Sequence, residues 1–273
     1  MRVLIPLLLA AASSTALADS CAFSAARNVD VDAAGLKTAL FRLGANDLEL
    51  EGVPGLARIE IRGRACASDQ AALDGLSVSQ SRSGDRLTVG VEDAARPGGW
   101  FGSRYAYIDL TARVPAELLA EIVAGSGDAE VRRVAALTFT SGSGDLEARD
   151  VAGQVAVEVG SGDAELDTIG ALTLRSSGSG DLRAKRVRGG VEVGRVGSGD
   201  LTFEDVTGDV RIERVGSGDV EVREVGGSVS VGAIGSGDVI ARGIRGDLTV
   251  QSQRSGSVQH SDVRGRVSVP ESR

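Results

Sequence analysis

The tetrapeptide Gly-Ser-Gly-Asp begins at Gly125, Gly142, Gly160, Gly178, Gly197, Gly216 and Gly235, at intervals of 17, 18, 18, 19, 19 and 19 residues. A degraded copy, Arg254-Ser255-Gly256-Ser257, follows another 19 residues on. After each Asp, apolar residues fall one, three and six places later, as in Val220, Val222 and Val225 or Leu201, Phe203 and Val206. A Gly comes about eight places after the Asp (Gly153, Gly189, Gly208, Gly227, Gly246, Gly265). A second alternating pair follows it, as in Val191/Val193, Val210/Ile212 and Val229/Val231. A repeat of this regularity confines the chain to a stack of near-identical units.

Each unit reads as strand, Gly turn, strand, Gly-Ser-Gly-Asp turn, because β-branched residues at period two mark strands with one buried face. A two-strand unit cannot bury that face alone, so its neighbours must cover it. Two turns at fixed places suit one coil of a single-stranded parallel β-solenoid, with coils of about 18–19 residues and equivalent residues in ladders ~4.8 Å apart. A hairpin array is the rival, but hairpin repeats drift in length. Small residues at inward positions (Ala129, Ala148, Ala164, Ala184) predict a thin interior.

The regular repeats fill residues 125–270, and residues 19–124 read as an elaborated N-terminal part of the same solenoid. Gly44-Ala45-Asn46-Asp47 followed by Leu48, Leu50, Val53, Gly55, Ile59 and Ile61 predicts a complete coil. Leu87, Val89 and Val91 predict a strand, as does the alternation from Tyr107 to Val114. Residues 64–75 and 92–104 read as polar or irregular inserts. At the far end Pro270, Glu271 and Arg273 predict a blunted edge.

Residues 1–18 read as a signal peptide: Arg2, an apolar run from Val3 to Ala12, and Ala16-Leu17-Ala18 before the cut. Losing Arg2 takes the formal charge from -8 to -9. Asp19 spoils a lipobox before Cys21, and no later stretch reaches the ~18 apolar residues of a membrane span. The mature chain is therefore expected in the periplasm or outside the cell, where Cys21 and Cys66 are candidates for one disulfide.

Composition removes most chemistry. With one His (His260) and two Cys in 273 residues, Ser-His-Asp, Cys-His and multi-His metal sites are excluded. The acidic balance argues against a nucleic-acid partner, which needs a basic face. No Gly-Lys-Ser/Thr follows the Gly-rich turns, so they are not phosphate loops. The expectation is no catalytic residue, no metal and no cofactor.

The segment Pro115-Ala116-Glu117-Leu118 leading into a strand, and then the repeated Gly-Ser-Gly-Asp-Val-x-Val, resembles the bacterial putative-adhesin family of β-strand-repeat proteins. It is similar also to the β-helical head domains of autotransporter adhesins. The resemblance spans roughly residues 44–269 and is strongest from 115 to 250. It implies an exported β-solenoid of the cell envelope with an adhesion-type or structural role, and it supplies no catalytic residues.

Three groups of residues remain as site candidates. Asp128, Asp145, Asp163, Asp181, Asp200, Asp219 and Asp238 form a turn ladder. In such turns Gly permits positive φ, and Asp can hold backbone amides. A cation site on the pattern of the calcium β-roll is the alternative, but that repeat recurs every nine residues. Trp100, Phe101, Tyr105 and Tyr107 form an aromatic segment able to touch a protein or polysaccharide partner, or to cover an open solenoid end. Asp167, Glu204, Asp205, Arg149 and Arg223 are the set a carbohydrate-active β-helix enzyme would use, though outward alternating charge is also what a solvated face looks like.

Overall fold

A computed structural model describes residues 21–93 and 105–270. The repeats form a solenoid of two rows of parallel strands. One row runs through 182–187, 201–206, 220–225, 239–244 and 258–263. The other runs through 191–196, 210–215, 229–234, 248–253 and 267–268. Equivalent residues are in register from coil to coil: Phe203 lies beside Val222, and Val222 beside Ala241. The inward column Ala148, Leu166, Ala184, Phe203, Val222, Ala241 sets small residues next to large ones and is fully buried. That alternation fills a narrow interior at close-packed density, with each Val or Leu worth about 1.5–3 kcal/mol on burial.

The spacing of one, three and six has a specific cause. The fifth residue after the ladder position has positive φ in coil after coil: Arg133, Asp150, Thr168, Arg186, Asp205, Glu224, Gly243 and Asp262. A left-handed residue interrupts the alternation, so the sixth residue turns inward where the fifth otherwise would. Seven non-Gly residues hold this conformation at φ of 52–57°. The strain, of order 1 kcal/mol each, persists because the packed columns on both sides fix the corner.

The Gly-Ser-Gly-Asp turns correct one expectation. None of their glycines has positive φ. They are required by close approach: a Cβ built at Gly218 would collide with the carbonyl of Gly199, and one at Gly199 with that of Gly180. Each coil's turn lies flat on the one before, and only Gly leaves room.

The N-terminal part departs from a plain continuation. In place of the expected coil from Leu48 to Ile61, strands Thr38–Gly44 and Leu48–Val53 form one. That coil sits between the one made by 86–93 with 106–115 and the one made by 119–124 with 129–132. The chain thus leaves the stack after Val53, builds its end, and returns past its own earlier coil. Ile59 and Ile61, expected in that coil, instead belong to strand Arg58–Ala67. This strand runs antiparallel to 106–115 on one side and to 23–26 and 29–32 on the other. The residues expected as an irregular insert from 64 include part of this strand, with Ala65, Cys66 and Ala67 buried, and a short helix Gln70–Gly75 capped by Asp69. On the second row, strand Leu76–Ser83 covers 86–93, again antiparallel. Antiparallel strands allow tight reversals, so the chain closes this end without another full coil. The leader at 1–18, residues 94–104 with Trp100 and Phe101, and Glu271 with Arg273 lie outside the described residues.

Candidate functional site

The ladder aspartates line up along one edge. Each donates its own backbone N–H to the Oδ1 of its counterpart in the preceding coil. Asp145 donates to Asp128, Asp163 to Asp145, Asp181 to Asp163, Asp200 to Asp181, Asp219 to Asp200 and Asp238 to Asp219, all at 2.8 Å. The row begins one coil earlier than the tetrapeptide shows, because Asp128 donates to Asp47 at 2.9 Å. It ends at Ser257, whose N–H and hydroxyl both reach Asp238 Oδ1, at 2.5 and 3.0 Å. Like charges at the ~4.8 Å coil spacing repel by ~0.9 kcal/mol in water. The charge-assisted amide bond offsets that repulsion.

A second ladder lies at the other turn. Asp209 Oδ1 accepts from Ser228 N–H, Ser228 Oγ from Asp247 N–H, and Asp247 Oδ1 from Arg266 N–H, at 2.8, 3.0 and 2.8 Å. The backbone N–H of Ser228 holds the Asp209 carboxyl below its ordinary value; burial opposes it, and Arg211 adds a smaller lowering effect. The sequence carried this signal in Gly208-Asp209-Val210, Gly227-Ser228-Val229 and Gly246-Asp247-Leu248, but the conspicuous tetrapeptide hid it.

Beside the first ladder lies a depression of about 520 Å³. It is lined by Asp47, Asp128, Asp145 and Asp163, by the adjacent column Glu49, Glu130, Glu147 and Glu165, and by Asp109. None of these carboxylates is buried. The aspartates already hold amides, and Glu130 and Glu147 are paired with Arg132 and Arg149. A general acid for glycoside cleavage needs a carboxyl whose surroundings favour its neutral form, as an enclosed apolar pocket does. Among the described residues, no group of three or more His, Cys, Asp or Glu is placed to hold a metal ion.

The structure places Arg149, Asp167, Glu204 and Arg223 of the enzyme-like set on one outward column, with Lys185 between Asp167 and Glu204 in register. Signs alternate along most of it, with Glu204 3.5 Å from Lys185 and Asp167 paired with Arg186. Asp205 occupies the positive-φ corner, turned out of this column. The arrangement is a solvated ladder of opposite charges.

At the N-terminal end, Tyr105 and Tyr107 stand with ring centroids 6.2 Å apart. The Tyr105 hydroxyl accepts from Ala22 N–H at 3.0 Å, and Tyr107 lies opposite Cys66 in the antiparallel pairing. Among the described residues, Phe23 and Tyr105 are the exposed aromatics of this end. Cys21 and Cys66 are joined in a disulfide with Cα atoms 5.7 Å apart. Among the described residues, no helix is long and apolar enough to cross a membrane.

Several solved structures align with nearly the whole chain. A putative cell adhesion protein from Clostridium sporogenes is 10% identical, with TM-score 0.32, over 91% of this chain and 100% of that one. A putative lipid binding protein from Parabacteroides distasonis is 15% identical, with TM-score 0.47, over 91% and 97%. A putative adhesin from Bacteroides fragilis is 12% identical, with TM-score 0.37, again over 91% and 97%. Among curated proteins none matches. Residues 65–226 match a family model that takes in part of the antiparallel end and most of the repeats. This chain belongs to the family described as putative auto-transporter adhesin, head GIN domain.

Proposed function

We propose that the chain is an exported, non-enzymatic β-solenoid that serves as an adhesion-type or structural interaction module of the cell envelope. The leader-like residues 1–18 and the disulfide support export. Membership of an adhesin-head family supports the adhesive role. The observation that carries the non-enzymatic reading is the lining of the depression, where none of the carboxylates is buried, Asp47, Asp128, Asp145 and Asp163 hold backbone amides, and Glu130 and Glu147 pair with arginines. In this reading residues 19–124 supply the contact end and residues 125–270 the rigid spacer. Tyr105 and Tyr107, with Trp100 and Phe101 beside them in sequence, are the proposed contacts for a protein or polysaccharide partner. Exposed aromatic rings on a rigid scaffold suit stacking on sugars or packing against protein.

The test is retention of the labelled mature chain on isolated envelope material, for the natural sequence and for Tyr105→Ala. Loss of most of the retention is the expected result. Equal retention would remove the aromatic end from the contact.

A further inference from the structure

Residues 21–32 cover an edge. Strand Arg58–Ala67 pairs on its inner side with 106–115, and its outer side is closed by 23–26 and 29–32. No residue from 21 to 32 is fully buried, and its apolar contact with the core is made by the half-buried Ala25, Val29 and Val31. Polar bonds hold it. Arg27 exchanges backbone bonds with Gly63, at 2.8 and 3.1 Å. Its guanidinium donates to the carbonyls of Leu76 and Leu73 at 2.7 and 2.9 Å. Asp30 pairs with Arg62 at 2.6 Å on the surface, where such a pair adds little. The covalent tie is Cys21–Cys66.

The two sulfurs differ in access. Cys66 is 1% exposed, whereas Cys21 is half-buried. We propose that this disulfide is a redox latch, which thiol exchange at Cys21 opens to release strands 23–26 and 29–32 while the coils stay folded. An attacking thiolate from a dithiol forms a bond to Cys21 Sγ. The Cys21–Cys66 bond breaks, and Cys66 leaves as a thiolate and takes a proton. The second thiol of the dithiol then displaces Cys21, which is protonated in turn, and the dithiol leaves as its own disulfide. Two electrons pass from the dithiol to the protein. The coils hold no part of the bond, and their stacked columns are unaffected by its loss. The outer edge of 58–67 is left with free backbone donors and acceptors, the arrangement that accepts an extended strand from another chain. This latch goes beyond the proposed adhesive role and stands whether or not the aromatic end makes the contact.

The experiment is amide hydrogen exchange on the full mature chain, oxidised and after reduction with dithiothreitol and alkylation, alongside Cys21→Ser without reductant. Exchange in 23–32, and at the amides of 58–67 that face it, is expected to quicken at least tenfold in both opened forms. Exchange in 182–244 is expected to stay as it was. Unchanged rates in 23–32 would show that the strand holds without the bond. Faster exchange throughout the repeats would show that the bond supports the whole fold. A Cys21→Ser protein that behaves like the oxidised one would trace the effect to alkylation rather than the latch. Each of these results would overturn the proposal.

Discussion

Asp238 donates its backbone N–H to the carboxylate of Asp219, its counterpart one coil earlier, at 2.8 Å. The same bond repeats along the edge, so each aspartate is both anchored by the coil before it and an anchor for the coil after. Asp219→Ala removes the acceptor and is expected to cost about 1 kcal/mol. Asp219→Asn keeps an acceptor oxygen and relieves repulsion from two neighbours, so its denaturation midpoint is expected at or above that of the natural protein. A midpoint for Asn as low as for Ala would show that the charge, and not the accepted bond, matters.

The ladder aspartates from Asp47 to Asp238 each accept a backbone amide from the next coil. Melting curves in chelator and in millimolar calcium are therefore expected to coincide, with magnesium as the comparison. A rise specific to calcium would make the edge a metal site.

Val222 is fully buried between Phe203 and Ala241, whereas Glu221 points outward among Arg223 and Arg242. Val222→Asp places an unpaired charge between coils and is expected to cost several kcal/mol. Glu221→Ala removes a surface ion pair and is expected to cost no more than about 0.5 kcal/mol. Equal losses in melting temperature would reject the inward and outward assignment.

This alternation was legible in the sequence because period-two patterning and an 18–19-residue repeat are strong signals. The ladder was legible for a related reason, since seven identical tetrapeptides in register place seven carboxylates on one edge. The cause of the glycines was not. Gly199 and Gly218 answer to a carbonyl in the previous coil, and close approach across coils leaves no local mark that separates it from a positive-φ turn. The strain sits instead at Arg133, Thr168 and Glu224, residue types that give no hint of it. The N-terminal end was the least legible. Nothing in Ile59-Glu60-Ile61 distinguishes a strand that continues a coil from one that crosses the end antiparallel. That choice depends on the distant partner Ala112-Arg113.

The second ladder provides a pH test. Asp209 has its carboxyl held below its ordinary value of 3.8 by Ser228 N–H and Arg211. A lowered folded-state value means that its contribution is present above that pH and is lost as pH falls through the folded-state value. Asp209→Asn is therefore expected to lie below the natural protein in melting temperature at neutral pH, with the gap closing as the pH falls below the ordinary 3.8 and through the lowered folded-state value. A gap that persists unchanged in acid would contradict the assignment.

The central claim is that this surface binds and does not cleave. The mature chain, incubated with isolated envelope material, is followed at once for protein in the pellet and for reducing ends or unsaturated sugar ends in solution. Co-sedimentation with sugar ends at the level of buffer alone is the predicted result. A steady release of sugar ends that scales with protein and disappears in Asp167→Asn or Glu204→Gln would contradict it.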